Sequence, residues 1–351
     1  MLSAPRRSDS LALDAARGNG MMHMSSIAKK YYTAVVCPFT ADGDIDEPGY
    51  RHLIQYYLQP RFLPVGGLLV NPAAGEVHYL SRTEKRRLLE IAVEEAGGKM
   101  PVFAGNFGWT TREAVEVSED LKAIGADGVF AIPPAGGGEV TCQWDADKYP
   151  EVWLDMLKAQ DKAADLPIIT HPSGSAIVPI YGKGTPARAT EIMCKAIPNI
   201  VGWKMTYPYE GNKKITKLLR AFDRDIAVLQ SGGYYFHEYL ASGNFDGTAS
   251  GFWNVAMEPM LDHIEAWKRG DVETATKIWN GGLQELQAYQ KGDGRLHVRY
   301  KIGAYLRGLI DRPDLRPPMP QPRAEEIETL HRLMSRMGIP VIDKKDFKRA
   351  A

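Results

Sequence analysis

The sequence predicts an α/β protein of the (β/α)8 barrel class, a TIM barrel, followed by a C-terminal helical region. Eight short apolar runs alternate with helical patterns from Tyr32 onward, and turn residues follow each run, as expected of strands buried on both faces of a parallel sheet. A closed barrel is favoured over an open sheet, because no GxGxxG motif follows the first run. The predicted strands are residues 33–38, 65–71, 101–106, 128–132, 167–171, 201–206, 226–231 and 247–251.

Helix starts can be recognised between these runs. Asp46 stands before a glutamate and a proline, which suits the N-terminus of a helix. Ser81 and Glu84 have the spacing of a capping box, and so do Thr110 and Glu113. After the last strand, helical patterns cover residues 255–268, 271–290, 296–309 and 324–337, and the first of these supplies the eighth helix of the barrel.

The chain divides into three predicted regions. Residues 1–28 carry arginines among Ser, Ala and Gly, without the apolar stretch of a secretory signal. We expect a disordered extension or an over-long start there, rather than a targeting peptide. Residues 29–268 form the predicted barrel, and residues 269–351 form a helical region packed on it.

Composition excludes several classes of protein. Lysine plus arginine equals aspartate plus glutamate at 43 each, so no overall field favours nucleic acid or an anionic membrane. No apolar run approaches the ~18–20 residues of a membrane span. Cys37, Cys142 and Cys194 stand far apart, which argues against a disulfide framework and a structural zinc site. We therefore expect a cytoplasmic protein without a nucleic-acid or membrane partner.

Lys204 lies inside the apolar sixth run. Barrel enzymes place their active sites at the C-terminal ends of the strands, so this lysine either points into the barrel mouth or belongs to a buried ion pair. Burial would lower its pKa from about 10.4. A neutral amine can then attack a ketone, and the resulting imine serves as an electron sink for bond cleavage. Position alone leaves the nucleophile and the ion pair as equal alternatives.

Small residues follow the second run, in the segment 71–76 with the sequence NPAAGE. The backbone N–H groups of Ala73, Ala74 and Gly75 are placed to cradle a carboxylate. A tight turn needs small residues in any case, so this segment is not specific by itself.

Several motifs in order resemble the dihydrodipicolinate synthase / N-acetylneuraminate lyase family of class I aldolases. Residues 33–39 resemble its opening strand, 72–76 its Gly-Thr-Thr-Gly-Glu loop, 201–204 its strand with the Schiff-base lysine, 231–232 and 247–255 its seventh and eighth strand ends, and 316–318 the signature before its last helix. The resemblance runs from about residue 32 to 339. It implies an imine at Lys204, substrate contacts at Ser231, Ala249 and Ser250, a homotetramer, and no metal or organic cofactor.

The departures from this family are equally informative. Ala73 and Ala74 replace two threonines, and His171 stands where the family has its proton-shuttling tyrosine. Residues 133–135 replace a Pro-Tyr-Tyr segment, so the tyrosine lent to a neighbouring subunit is absent. The arginine that binds the second substrate's carboxylate would fall near Ala176. These departures argue against the lysine-pathway dihydrodipicolinate synthase activity.

His171 is the candidate proton carrier, because its ordinary pKa near 6.5 is closer to neutrality than that of tyrosine. The alternative is a core histidine bonded to the backbone. Thr170 and Ser173 beside it are candidates for holding a water or a substrate hydroxyl.

Other residues near the strand ends have less specific interpretations. Six aromatics either line a pocket for a ring-bearing substrate or, for most of them, pack the barrel or an interface: Trp203, Tyr207, Tyr234, Tyr235, Phe252 and Trp253. Four histidines stand singly and are interpreted as structural or surface residues: His78, His237, His263 and His297.

Three functions follow from these residues. The first is a Schiff-base lyase, an aldolase or hydratase-aldolase acting on a pyruvate-type 2-oxo acid and on a less charged aldehyde, such as an aromatic one. The second is a dehydratase that removes water from a 2-keto-3-deoxy sugar acid through the same lysine. The third belongs to another class, a non-catalytic 2-oxo acid binding protein.

Overall fold

The computed structural model describes residues 26–134, 145–172, 186–343 and 347. Eight parallel strands follow one another around a closed barrel, and β1 pairs with both β2 and β8. The predicted (β/α)8 class is confirmed. The strands are β1 Tyr31–Ala34, β2 Gly66–Val70, β3 Val102–Asn106, β4 Gly128–Ala131, β5 Ile168–Thr170, β6 Ile200–Met205, β7 Ala227–Gln230 and β8 Gly247–Ser250.

The first strand lies earlier in the chain than the apolar pattern predicts. β1 ends at Ala34, whereas the prediction extended to Pro38. Val35, Val36 and Cys37 are nevertheless almost fully buried. Apolar residues report burial rather than strand pairing, so the pattern included a buried segment that has left the sheet.

The helices alternate with the strands as predicted. They are α1 Glu47–Tyr57, α2 Arg82–Ala96, α3 Thr111–Ile124, α4 Glu151–Ala164, α5 Ala187–Ala196, α6 Tyr209–Arg220, α7 Phe236–Ala241 and α8 Met257–Lys268. The carboxylate of Asp46 accepts a hydrogen bond from the N–H of Gly49 at 3.0 Å. Ser81 and Glu84 form a complete capping box. Thr110 caps α3, but Glu113 accepts from the N–H of Trp109 instead, so the second predicted box is half formed.

The C-terminal region consists of α9 Val272–Ile278, a π-helical turn Trp279–Leu283, α10 Gln284–Lys291, α11 Leu296–Leu306 and α12 Ala324–Arg336. The sequence predicted a helical stretch over residues 271–290, and the structure confirms it with one interruption. Gly282 has a φ of 135°, which lies outside helical geometry and is accessible to glycine without strain. The chain therefore kinks at this residue.

The disordered extension predicted over residues 1–28 is too long at its C-terminal end. Residues 26–28 form a helical turn, and Ala28 is fully buried. The hydroxyl of Tyr32 donates to the carbonyl of Ile27 at 2.7 Å, which fixes this turn to β1. Residues 1–25 lie outside the described residues. No helix in the described part of the chain is long and apolar enough to cross a membrane.

One buried ion pair ties the C-terminal region to the barrel mouth. Lys301 of α11 donates to the carboxylate of Glu76 at 2.7 Å, and both side chains are 0% exposed. The second carboxylate oxygen of Glu76 accepts from the N–H of Arg316 at 2.8 Å. Glu76 follows directly on Ala73–Gly75, so α11 fixes the loop that contains the candidate carboxylate site.

We expect Lys301→Met to lower the free energy of unfolding by about 3–5 kcal/mol, because it leaves the Glu76 carboxylate buried without a cation. The double variant Glu76→Gln/Lys301→Met should lose less than the sum of the two single changes. Urea unfolding measures both quantities. The matched control is Lys195→Met, which removes the exposed pair with Glu191 and should cost less than about 1 kcal/mol. Equal losses in the two lysine variants would contradict a structural role for the buried pair.

Candidate active site

A cavity of about 310 Å³ opens at the C-terminal ends of the barrel strands. This is the end at which barrel enzymes place their chemistry, and the volume is within the range of small-molecule sites. Barrel residues that line it are Ala34, Pro72, Ala73, Ala74, Phe130, His171, Lys204, Thr206, Ser231, Ala249, Ser250 and Gly251. The C-terminal region contributes Lys291, Leu296, His297 and Tyr300.

Lys204 reaches this cavity because of the alternation along β6. Its neighbour Trp203 is fully buried and packs against Trp153 of α4, with the ring centroids 6.2 Å apart. The next side chain on the strand therefore points to the barrel interior. The ammonium of Lys204 lies 5.5 Å from the centroid of the Phe130 ring. Burial, followed by the charge of Lys291, lowers the pKa of Lys204 from 10.5 to about 7.

His171 lies beside the same phenylalanine. Its backbone N–H donates to the carbonyl of Ala131 at 2.7 Å, and its ring centroid is 5.3 Å from that of Phe130. Burial, and then the charges of Lys204 and His297, lower the pKa of His171 well below 6.5. The imidazole is therefore neutral at pH 7. Its Nδ1 is buried without a hydrogen-bond partner among the described residues.

The loop after β2 offers two free N–H groups. Ala73–Gly75 forms a 3₁₀ turn in which the N–H groups of Gly75 and Glu76 donate to the carbonyls of Pro72 and Ala73. No acceptor among the described residues bonds the N–H groups of Ala73 and Ala74, and both residues line the cavity. Gly75 does not line it, and a Cβ there would approach the carbonyl oxygen of Val35 at 2.7 Å. Close packing therefore explains this glycine, and its predicted contact with substrate has no structural support.

Three further predicted contacts lie at the ends of β7 and β8. Ser231, Ala249 and Ser250 line the cavity. The hydroxyl of Ser250 donates to the carbonyl of Ser231 at 2.9 Å and accepts from the N–H of Phe252 at 3.2 Å. Its role is therefore to join two strand ends, which leaves the hydroxyl of Ser231 as the more available group.

Thr170 is not brought into the cavity. It pairs in register with Trp203, whose ring packs against α4, so Thr170 also faces the helices. The threonine that does line the cavity is Thr206, whose hydroxyl donates to the carbonyl of Pro172 at 2.6 Å. Ser173 lies outside the described residues.

The C-terminal region supplies basic groups that sequence reasoning did not assign to the site. His297 lines the cavity, and its interpretation as a structural or surface residue was wrong. Burial, and then the charge of Lys204, lower the pKa of His297 to about 4. Lys291 has a pKa lowered by burial to about 8, so it stays largely protonated at pH 7. The spacing of His297, Tyr300 and Lys301 on one helical face was the available signal.

The charge of the cavity favours an anionic ligand. Among the described lining residues there are two lysines and two histidines, and none carries a carboxylate. The two histidines are neutral at pH 7, Lys204 is partly neutral, and Lys291 supplies the standing positive charge.

The aromatic residues near the strand ends are mostly packing, as expected. Trp203, Phe252 and Trp253 are fully buried, and Tyr207 accepts a hydrogen bond from the indole of Trp203 at 3.0 Å. None of these four lines the cavity described here. The prediction of a ring-bearing substrate, which depended on these aromatic residues, therefore loses its main support.

Two of the remaining histidines, His237 and His263, contact each other. The Nδ1 of His237 and the Nε2 of His263 are 2.9 Å apart, and both rings stack on Trp279. This pair lies outside the cavity. The described residues contain no group of three or more side chains suited to hold a metal ion.

The chain is similar to proteins of one family over most of its length. The model of the dihydrodipicolinate synthetase family matches residues 28–135 and 185–337. The chain belongs to this family. It is accordingly an enzyme of the carbon-carbon lyase class.

The similar proteins differ in their assigned reactions. A 4-hydroxy-tetrahydrodipicolinate synthase of Methanopyrus kandleri is 30% identical over 311 residues, covering 87% of this chain and 95% of that protein. YagE of Escherichia coli K12, provisionally named a 2-dehydro-3-deoxy-D-gluconate aldolase, is 24% identical over 85% of this chain and 96% of its own. The structure of YagE in complex with pyruvate matches with a TM-score of 0.75 and 21% identity, covering 88% of this chain and 98% of that one, which supports the fold alone.

Proposed function

We propose that the protein is a Schiff-base-forming lyase in which Lys204 attacks the keto carbon of a 2-oxo acid. The observation that carries this proposal is the state of that lysine, a desolvated amine with a pKa of about 7 in a cationic cavity at the catalytic end of a barrel. A lysine of ordinary pKa would be neutral in only about one molecule in a few thousand at pH 7. Here a substantial fraction is ready to react.

The cavity orients a 2-oxo acid with respect to this amine. The free N–H groups of Ala73 and Ala74 donate hydrogen bonds to the substrate carboxylate, and the positive charge of the cavity favours its entry. The neutral amine of Lys204 adds to the keto carbon, and loss of water gives a protonated imine. That cation withdraws electrons from the adjacent carbon, so the C3–C4 bond can break or form.

His171 carries protons in this sequence. Its neutral imidazole accepts the proton that the amine loses on attack and returns it to the keto oxygen, which becomes a hydroxyl. A second proton, taken up from solvent by the same imidazole, lets this hydroxyl depart as water and leaves the imine protonated. Because burial and neighbouring charge hold its pKa low, the protonated ring is a strong acid. A carboxylate bound in the cavity raises this pKa towards neutrality.

The alternative reaction is dehydration of a 2-keto-3-deoxy sugar acid. It uses the same imine, with loss of a hydroxyl group instead of an aldehyde. The name given to YagE favours a sugar acid as the substrate of either reaction. The lysine-pathway synthase reaction is disfavoured by Ala73, Ala74 and His171, which replace the family's two threonines and tyrosine.

We also propose that the enzyme assembles as a homotetramer in the cytoplasm. The support is the family resemblance, together with Trp109, whose side chain is 55% exposed. Exposed aromatic residues of this kind are enriched at protein interfaces.

Borohydride reduction in the presence of pyruvate should trap one adduct on Lys204, detected by intact mass and peptide mapping. Lys204→Ala should give no adduct, and Lys204→Arg should give none either, because a guanidinium keeps its charge. The control Lys195→Met should be trapped like the wild type. If no 2-oxo acid in a panel gives an adduct, or if Lys204→Ala binds pyruvate as tightly as the wild type, the protein is a binding protein and the imine mechanism is wrong.

The rate of adduct formation should rise about tenfold per pH unit below pH 7 and level off above it. The reason is that ~10% of Lys204 is neutral at pH 6 and ~90% at pH 8, if its pKa is about 7. Stopped-flow measurement of imine formation at saturating pyruvate gives this profile. A rate that keeps rising to pH 10 would show an unperturbed lysine.

His171→Asn should slow imine formation by roughly 100-fold or more, as expected for loss of a general acid–base group. Adduct should still accumulate on Lys204 over long incubation, because the nucleophile remains. His52→Asn is the matched control, since His52 is exposed. An unchanged rate in His171→Asn would mean that His171 has no part in proton transfer, and a lowered thermal midpoint in that case would assign it a packing role.

A further inference from the structure

The cavity contains a second basic group that imine formation does not use. Lys291 is the last residue of α10, and its ammonium donates to the carbonyl of Gly232 at 2.8 Å. It also lies 3.5 Å from the hydroxyl of Ser231. The Lys291 side chain as a whole is exposed, and partial desolvation of its ammonium lowers the pKa of Lys291.

The end of β7 is shaped to admit this ammonium. Gly232 and Gly233 have φ angles of 75° and 109°, in the left-handed region that favours glycine. A Cβ at Gly233 would lie 2.6 Å from the ammonium of Lys291. Any other residue there would displace the lysine from the cavity wall.

No carboxylate among the described residues forms an ion pair with Lys291, and no nearby acid raises its pKa. Lys301, the fully buried lysine of the same region, has Glu76 as its partner. A partly desolvated ammonium without a counter-ion is stabilised by a ligand that supplies a negative charge. Of its three N–H groups, one is bound by Gly232, and Ser231 is at the limit of hydrogen-bond distance for a second, so at least one remains for a ligand.

Its neighbours in the cavity suit the same kind of ligand. His297 of α11 is neutral at pH 7 and can donate one hydrogen bond without adding charge. A single ammonium beside neutral donors matches one negative charge better than the charge of −1.5 to −2 on a phosphate, to take approximate values. At about 310 Å³ the cavity also has room beyond a three-carbon acid.

We propose that Lys291, Ser231 and His297 form a second carboxylate subsite, so that the substrate is a 2-oxo diacid held at both ends. This inference rests on the proposed function, since it takes Lys204 as the group that meets the keto carbon. It replaces the less charged aldehyde partner expected from the sequence with an acidic one.

Chain-matched probes test the subsite in the intact protein at pH 7. The half-saturation concentration for borohydride trapping is measured with 2-oxopentanoate against 2-oxoglutarate and with 2-oxohexanoate against 2-oxoadipate. The wild type should favour a diacid over its matched monoacid. Lys291→Met should raise the half-saturation concentration for that diacid about tenfold or more, the effect of losing one charged hydrogen bond, and Lys291→Arg should retain part of the preference.

The ratio of diacid to monoacid isolates binding at Lys291 from its effect on Lys204. Loss of the charge in Lys291→Met also raises the pKa of Lys204, which slows trapping of both acids equally. If the variant changes both acids by the same factor, or if the wild type does not favour either diacid, the subsite does not exist. Lys195→Met should leave every value unchanged.

A second measurement separates this inference from the imine mechanism. Adipate and hexanoate lack the keto group, and calorimetric titration of Lys204→Ala with each needs no imine. If adipate binds more tightly than hexanoate, and if this difference is lost when Lys291→Met is added, the subsite is supported even if no 2-oxo acid is ever trapped. The subsite proposal would be overturned if adipate and hexanoate bind equally or not at all, and if monoacids and diacids are also trapped equally.

Discussion

The buried ion pair between Lys301 and Glu76 is the interaction on which the barrel mouth depends. Glu76 has a φ of 60°, a left-handed conformation that costs a non-glycine residue about 1–3 kcal/mol. Such a residue keeps this conformation only where its surroundings fix it, and here α11 provides the cation and Arg316 a backbone N–H. The same residue ends the turn that presents the N–H groups of Ala73 and Ala74. The geometry of the candidate carboxylate site therefore depends on a helix more than 200 residues away in sequence.

Lys204 and Lys291, the two lysines of the cavity, have different electrostatic roles in the proposed mechanism. A carboxylate beside Lys204 would stabilise its ammonium and remove the nucleophile, so the lack of acids among the described lining residues is itself functional. The positive charge of Lys291 acts in the same direction as burial and lowers the pKa of Lys204 further. Each lysine therefore supports the other's role, one as a reactive amine and the other as a persistent charge that attracts an anion.

The barrel and the position of Lys204 in its mouth were predictable because both leave local signals. Eight apolar runs and their caps gave the fold, and a lysine within an apolar strand marked Lys204. Side-chain direction was harder, since Thr170 and His171 are adjacent, and one faces the helices while the other faces the cavity. Lys291 and His297 were missed because they come from outside the barrel. Their place in the site follows from tertiary packing, because the shared helical face of His297, Tyr300 and Lys301 shows that these residues are neighbours but not what they pack against.

The division into a barrel and a C-terminal region is therefore not a division of function. β6 and the end of β5 supply the proposed amine and proton carrier, Lys204 and His171. α10 and α11 supply Lys291, Leu296, His297 and Tyr300, which form the wall beyond the keto carbon. Substitutions in these helices can alter what the cavity holds without disturbing the strands that position Lys204.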